Sequence, residues 1–364
     1  MKGKVMLNSL YRDMLEIPES AAKVNAMKDG MRLADQSNDA QYSYFFRREL
    51  IDDAAYDGRF SDVRDALGAL GWILKKWDDG ELDNFGVDPN ELIDKEQWIC
   101  RWITMYPDIG LPQLDNLLED LKGRLQTAGY QLRFYYEAVM IASLLTDQSE
   151  RAAEAYKEYR KGRMDRFLDC DDCIGCRYIK YLRYAGDHKA AFKEAASMAY
   201  PGYCNMNPKT AYNELVASAV ENNDYDGMDI YQQRAYKMIA KDQYFLDFIG
   251  YHMQYYAHFN VNKGLELYKK HLAWLNGRNR FPLSIYDFHM GAAVLFNVLD
   301  KSKQGQSFKA VLDINFPLYN PSGIYHIEDL KRYHYEQAAV LAAQFDKRNG
   351  TDYYINKLER LYNG

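Results

Sequence analysis

Long apolar runs are missing from this 364-residue chain. Stretches such as Ala292-Ala293-Val294-Leu295-Phe296 are typical of its longest. They fall far short of the roughly 18–20 residues that cross a bilayer, so a membrane-spanning helix is excluded. The opening Met1-Lys2-Gly3-Lys4-Val5-Met6-Leu7-Asn8 lacks the apolar core of a secretory leader. The expectation is therefore a cytoplasmic protein with reduced cysteines. An excess of basic charge is missing too: 46 Lys and Arg stand against 52 Asp and Glu, a net charge of −6. Broad nucleic-acid binding needs a dense cationic face to release counterions, and no block of Lys and Arg supplies one. Period-two apolar alternation and Asn-Gly hairpin signals are nearly absent. So are the motifs of common catalytic sites: there is no Gly-rich phosphate loop with its Lys, no Gly-x-Ser-x-Gly elbow and no His-Glu-x-x-His. Glu119-Asp120 and Asp171-Asp172 are adjacent carboxylates, which point apart on a helix and read as solvated rather than as an acid/base pair. The chain reads as non-enzymatic.

What the sequence does have is helical periodicity from end to end. A helix is expected over about residues 20–39, and another from Tyr42 to Tyr56 that turns at Asp57-Gly58-Arg59. Ser61 then caps a helix through Val63, Ala66, Leu70 and Ile73. Residues 78–90, rich in Asp, Gly and Asn, read as a loop. Leu92 to Thr104 carries Trp98 and Trp102 on one face, and Tyr106-Pro107 stops it. Gln113–Gln126, Phe134–Leu145, Tyr286–Leu299, Ile327–Phe345 and Asp352–Leu361 are further helices. Tyrosine is abundant, 32 residues against 16 Phe; rings with a wet hydroxyl suit either the rims of packed helices or the lining of a groove.

A repeat emerges in the second half. Breaks at Thr146-Asp147, Gly186-Asp187, Asn223-Asp224 and Phe259-Asn260 are spaced by 40, 37 and 36 residues. After the last three come Ala190 and Ala191, then Gly227, then Gly264, small residues expected to let the helices of a pair approach closely. This resembles the tetratricopeptide repeat, in degenerate form and with longer periods. The fold class is therefore all-α, an α-solenoid of stacked antiparallel helix pairs forming a tetratricopeptide-like superhelix. Residues 1–130 read as an N-terminal helical region of degenerate repeats, 131–280 as the core repeats, and 281–364 as C-terminal repeats and a cap. No Pro-, Gly- or Ser-rich linker divides them, so one continuous solenoid is expected.

Cysteine is scarce, but four of the five cysteines fall between residues 170 and 204. Cys170-x-x-Cys173 has the spacing by which two thiolates share one tetrahedral ion, and Cys204 returns as a third ligand across a helical hairpin. His252, one repeat further on, is the expected fourth, with Cys176 as its rival. One structural zinc would staple adjacent repeats. The bland alternative, buried reduced thiols acting as small hydrophobes, stays open. An iron–sulfur cluster fits poorly because Cys204 is distant and is followed by Asn205 rather than Pro. A thioredoxin-like use lacks its βαβ setting.

Several phrases carry a family resemblance. They are Gly71-Trp72-Ile73-Leu74 with Trp77-Asp78, Gln97-Trp98 to Tyr106-Pro107-Asp108-Ile109, and Leu118-Glu119-Asp120 to Arg124. Cys170 to Cys173, Cys204 followed by Pro208, His271-Leu272-Ala273-Trp274-Leu275 and Phe345-Asp346 with Arg348-Asn349-Gly350 complete the set. Together they resemble a large bacterial family of tetratricopeptide-like proteins with a Cys-x-x-Cys and a later Cys ahead of Pro. Cys170, Cys173 and Cys204 match those positions; Cys176 does not. The resemblance implies a helical-repeat fold and an interaction role, and no catalytic residues. Three readings follow: a scaffold or adaptor holding a protein or peptide in a concave groove, a peptide-sensing regulatory repeat protein, and a metal- or redox-dependent enzyme centred on the cysteines. The first is preferred.

Overall fold

The helical periodicity translates directly into helices that pack as consecutive pairs. A computed structural model describes residues 2–55, 61–82, 85–163, 170–198, 204, 208–277, 281–302 and 306–364. Among the described residues are seventeen α-helices and a single two-stranded antiparallel hairpin. No helix among them is long and apolar enough to cross a membrane. The chain divides into two units, residues 1–104 with 112–138 and residues 105–111 with 139–364.

The first unit is built on α1 (Lys2–Leu15), α2 (Ala21–Gln36), α3 (Ala40–Ala55), α4 (Val63–Asp78), α5 (Pro89–Ile103) and α6 (Leu111–Thr127). Successive helices from α1 to α5 pack on one another, and α3 also touches α5. The cap of α4 is Asp62, whose Oδ1 accepts from Arg64 N at 2.8 Å, and not Ser61. The backbone N–H of Ser61 instead donates to Asp53. The expected turn at Asp57-Gly58-Arg59 lies outside the described residues. Gly30 exists because α2 and α3 touch: a methyl there would run into the Phe46 ring. Asp35 binds this layer together, accepting both Nη1 (3.0 Å) and Nη2 (2.8 Å) of Arg47, whose guanidinium lies 4.1 Å from the centre of the Trp72 ring.

Helix α5 is buried on nearly every side, and several of its buried residues are polar. Lys95 pairs with Asp52, Arg101 with Glu137 at 2.9 Å, and Trp98 stacks on Trp102 at 6.2 Å. The loop reading of residues 78–90 matches the break between α4 and α5. Asp88 caps α5, and Pro89 sits at its first turn, where a missing N–H costs nothing.

Helix α7 (Arg133–Leu145) runs from the first unit into the second. There the paired pattern becomes regular: α8 (Ser149–Lys161), α9 (Asp171–Tyr184), α10 (His188–Ser197), α11 (Lys209–Asn222), α12 (Met228–Ile239), α13 (Leu246–Phe259), α14 (Val261–His271) and α15 (Pro282–Lys301). The four breaks read from sequence fall between α7 and α8, α9 and α10, α11 and α12, and α13 and α14. Their chemistry is that of turns: Asp147, Gly186 and Asn223 take positive φ (58°, 75° and 51°), and Asp187 and Asn260 accept from the first-turn N–H groups of the helices that follow. Helices α9, α11, α13 and α15 pack in succession, while α10 and α14 each lean on the helices before and after them.

The tightest crossing lies between α13 and α15, where Gly250 meets Gly291. A Cβ at Gly291 would lie 2.6 Å from Gly250 Cα, and one at Gly250 would strike the Asp287 carbonyl. Gly264 serves close packing, but between pairs rather than within one: a methyl there would run into Leu295 of α15, while α13 stays at ordinary contact distance. Gly227 does not: it is the left-handed residue (φ 68°) that starts α12, so its role is the turn rather than close packing.

Beyond α15 a short hairpin, β1 (Ser307–Lys309) with β2 (Ile324–His326), precedes the long α16 (Ile327–Asn349) and α17 (Tyr353–Asn363). Gly350 (φ 70°) reverses the chain between those two helices. The end of α16 returns to the start of the unit. Arg348 donates to the carbonyls of Tyr106 (3.0 Å) and Leu145 (3.1 Å), and Asn349 Nδ2 and Tyr354 Oη also donate to Leu145. Those carbonyls include the orphaned C-terminal acceptor of α7, which no residue of its own helix can satisfy. Two phrases noted in the sequence, Tyr106-Pro107-Asp108-Ile109 and Arg348-Asn349-Gly350, thus meet across more than 200 residues.

Candidate functional site: a thiol cluster and an ionic groove

Both features lie in the second unit and share α9. Cys170 occupies the N-cap of α9 and Cys173 its first turn. The Sγ atoms of Cys173 and Cys204 stand 3.4 Å apart, and those of Cys170, Cys173 and Cys204 all lie within 4.8 Å of one another. Three sulfurs around a tetrahedral zinc, each bonded at about 2.3 Å, sit about 3.8 Å apart. The observed separations lie on either side of that value and exceed disulfide length. Cys204 lies between α10 and α11, so an ion held here would tie the start of one helix pair to the start of the next.

The two candidates for a fourth ligand are elsewhere. Cys176 is buried one turn further along α9, its thiol pushed up to about 12, chiefly by burial. That is an inert packing sulfur. His252 is fully buried in α13 with both ring nitrogens engaged: Nε2 with Asn213 Oδ1 at 2.8 Å and Nδ1 with the Gln232 amide at 3.2 Å. Burial, and then the neighbouring His271, push its pKa down to about 3. It is a neutral core histidine, and among the described residues the ligand group contains cysteines only. Asp169, beside Cys170 in sequence, lies outside the described residues.

Roughly three turns beyond Cys173, α9 delivers Arg183 into a buried network. Its guanidinium donates to Glu214 Oε2 (2.5 Å), to both oxygens of Glu221 (2.9 and 3.1 Å) and to Tyr251 Oη (3.0 Å). Tyr251 also stands within hydrogen-bond distance of Glu221 and Asp287. Lys357 of α17 completes the set, with Nζ at 2.7 Å from Glu221 Oε1, 2.7 Å from Tyr251 Oη and 4.0 Å from Asp287 Oδ1. Five helices therefore converge on one cluster: α9, α11, α13, α15 and α17.

The electrostatics divide these carboxylates. Burial works against ionisation of Glu221, but Arg183 and Lys357 outweigh it and hold the pKa at about 2. Asp287 is pushed up to about 6 by burial against the same two cations. Asp247, on the same wall, is raised to about 7 by burial and by Asp287 and Glu214. Lys180 is lowered, chiefly by burial. Lys180, Tyr184, Asp247 and Tyr353 each keep a solvent-facing fraction although desolvation dominates their titration.

Sequence reasoning found the thiols and missed the network. Its signals were faint: Asp287 interrupts an otherwise apolar run, and Lys357 sits between Tyr354 and Leu358 on the buried face of α17. A scan against protein-family models finds no match for this chain, and a search of curated proteins finds none either.

Proposed function

We propose that this chain is a tetratricopeptide-like, non-enzymatic scaffold that binds a protein or peptide on the wall formed by α9, α11, α13 and α15. One structural zinc held by Cys170, Cys173 and Cys204 would stiffen it. The observation that carries the reading is the succession of these four helices, whose shared face bears Lys180, Tyr184 and Asp247 beside a buried ionic cluster. Such a wall offers aromatic anchors and charges of both signs to an extended or helical ligand. The zinc reading rests on three cysteine sulfurs within 4.8 Å of one another, two of them at the start of α9.

The test compares the full chain with a Lys180→Glu, Tyr184→Ala variant as bait under identical conditions. Lys180 and Tyr184 are half-buried on the wall, so circular dichroism should be unchanged. A partner retained by the native chain and lost by the variant supports the reading. Identical capture by both places binding elsewhere and overturns it. Elemental mass spectrometry on untagged protein tests the metal independently. About one zinc per chain is expected, lost in Cys170→Ser, Cys173→Ser.

A further inference from the structure

The wall proposed as the binding surface is already crossed by a helix of the same chain. Tyr354 Oη of α17 reaches the end of α7 at Leu145 (2.9 Å), Lys357 enters the cluster of α11, α13 and α15, and Arg360 Nη1 donates to the Glu221 carbonyl (2.5 Å). Tyr354 and Lys357 are three residues apart and so share one face. Asn356 and Glu359 point to solvent. We infer that α17 is an exchangeable, built-in occupant of this groove. The partner it holds the place for presents a cationic amphipathic helix of the same pattern, an aromatic followed three residues later by Lys. This rests on the binding reading given above and names the partner class.

Three observations carry it. The first is charge. With α17 in place, Arg183 and Lys357 together face Glu214, Glu221 and Asp287. Once α17 lifts away, Arg183 and the neighbouring Lys180 face the same three acids and Asp247, so acids still outnumber bases. The emptied groove seeks a cation and rejects an acidic helix.

The second is the nature of the contact. Buried ion pairs recover their desolvation cost poorly, but they fix register and partner sharply. A groove lined this way discriminates between helices more than it glues one down. Tyr354 and Leu358 supply the apolar burial of α17, and Lys357 between them supplies the discrimination. The third is the tether. Gly350 breaks the chain at φ 70°, and the first N–H groups of α17 are held by a side chain, Asp346, which accepts from Tyr354 N and Ile355 N at 2.9 Å each. The helix thus turns back on α16 at a defined stop, and the bond from Asn297 Nδ2 to the Tyr362 carbonyl (2.6 Å) at its far end is the contact that opening must break.

The probe is a fluorescent peptide of residues 352–364, added to the full chain and to its Lys357→Met variant. The native chain, its groove filled in cis, should bind weakly. Lys357→Met should bind at least about tenfold tighter, because the peptide restores the missing cation. The same peptide carrying Lys357→Glu should bind neither. Equal binding by both chains, or none by a helical and monodisperse variant, would overturn the inference. Hydrogen exchange on the unaltered chain reads the same question without a substitution. The amides of α17 should exchange through an opening that leaves α15 and α16 protected. Exchange of α17 only together with α15 would make it a fixed part of the core. Peptide exchange without any wall-dependent partner sinks the scaffold reading and with it the partner class, and leaves only the exchange of α17 itself. A wall-dependent partner with α17 immovable does the reverse.

Discussion

Glu96 shows how much chemistry a single buried side chain can conceal. It is fully buried on α5. Its Oε2 comes no closer than 3.6 Å to Arg124 Nε, and neither oxygen has a hydrogen-bond partner among the described residues. Burial, with Asp120 beside it, holds its carboxyl well above the usual range. A raised carboxyl pKa favours the folded state at low pH and weakens it as pH climbs past the unfolded value near 4.3, by about 1.4 kcal/mol per unit up to the folded pKa. Glu96→Gln should therefore raise the melting temperature at pH 7 and leave it nearly unchanged at pH 4. A lower melting temperature at pH 7 would contradict the assignment.

The buried histidines act in the opposite direction. His252, His271 and His289 are all pushed down to about 3 by burial, and His334, 2.8 Å from His289 between their Nδ1 atoms, is pushed well below the usual histidine range by burial and then by His289. A lowered histidine pKa gives stability that is complete above about 6.5 and drains away as pH falls toward the folded value. The slope is about 1.4 kcal/mol per pH unit for each group. Chemical denaturation between pH 6.5 and 4 should show this acid loss. His289→Asn, which keeps a nitrogen near the Nδ1 position, should flatten it by about one histidine's share. At this scale the sequence was half legible. His252 stood out as an isolated histidine among aromatics, but Asn213 and Gln232, which satisfy it, are 39 and 20 residues away, and no local pattern announces them.

At the scale of elements, glycines separate positions that tolerate a methyl from those that do not. Gly291→Ala places a Cβ against the backbone of α13 at the Gly250 crossing, where nothing flexible can yield. It should cost about 3 kcal/mol, at the upper end for overpacking. Gly68, exposed within α4 with open space around it, should gain about 1 kcal/mol on substitution by Ala, from helix propensity alone. Equal effects at the two positions in thermal melts would refute the packing account. The elements most legible in the sequence were those whose signals are local. The turns at Asp147, Gly186, Asn223 and Asn260 announced themselves through residues that accept left-handed backbone or cap a helix. Less legible were α1, which was passed over, and the β1–β2 hairpin, whose strands are three residues each and too short to show alternation. Gly227 was assigned to packing because a glycine at a turn and a glycine at a crossing look identical in sequence.

Across the second unit as a whole, the pieces that matter most are joined over long distances. Lys357 and Glu221 are 136 residues apart, and Arg348 reaches Tyr106 across 242. Each of these charges reads in sequence as an ordinary solvated residue. The packing of α9, α11, α13, α15 and α17 brings Lys357 to Glu221, and the end of α16 brings Arg348 to Tyr106, which is why the thiol cluster could be anticipated and the ionic network could not. Lys357→Met should also destabilise the unit by several kcal/mol, since removing one partner leaves Glu221 buried with less compensation. Urea titration of the variant beside the native chain checks this, and an unchanged midpoint would show that the cluster is solvated.

The account turns on the wall formed by α9, α11, α13 and α15 being a binding surface. Photo-crosslinking reads that most directly, with a benzophenone amino acid placed at Tyr184 on the wall and, as control, at the exposed Val340 on α16. A discrete covalent adduct at position 184, absent at 340 and reduced by excess peptide of residues 352–364, is the predicted result. No adduct at 184, or the same adducts at both positions, would contradict it.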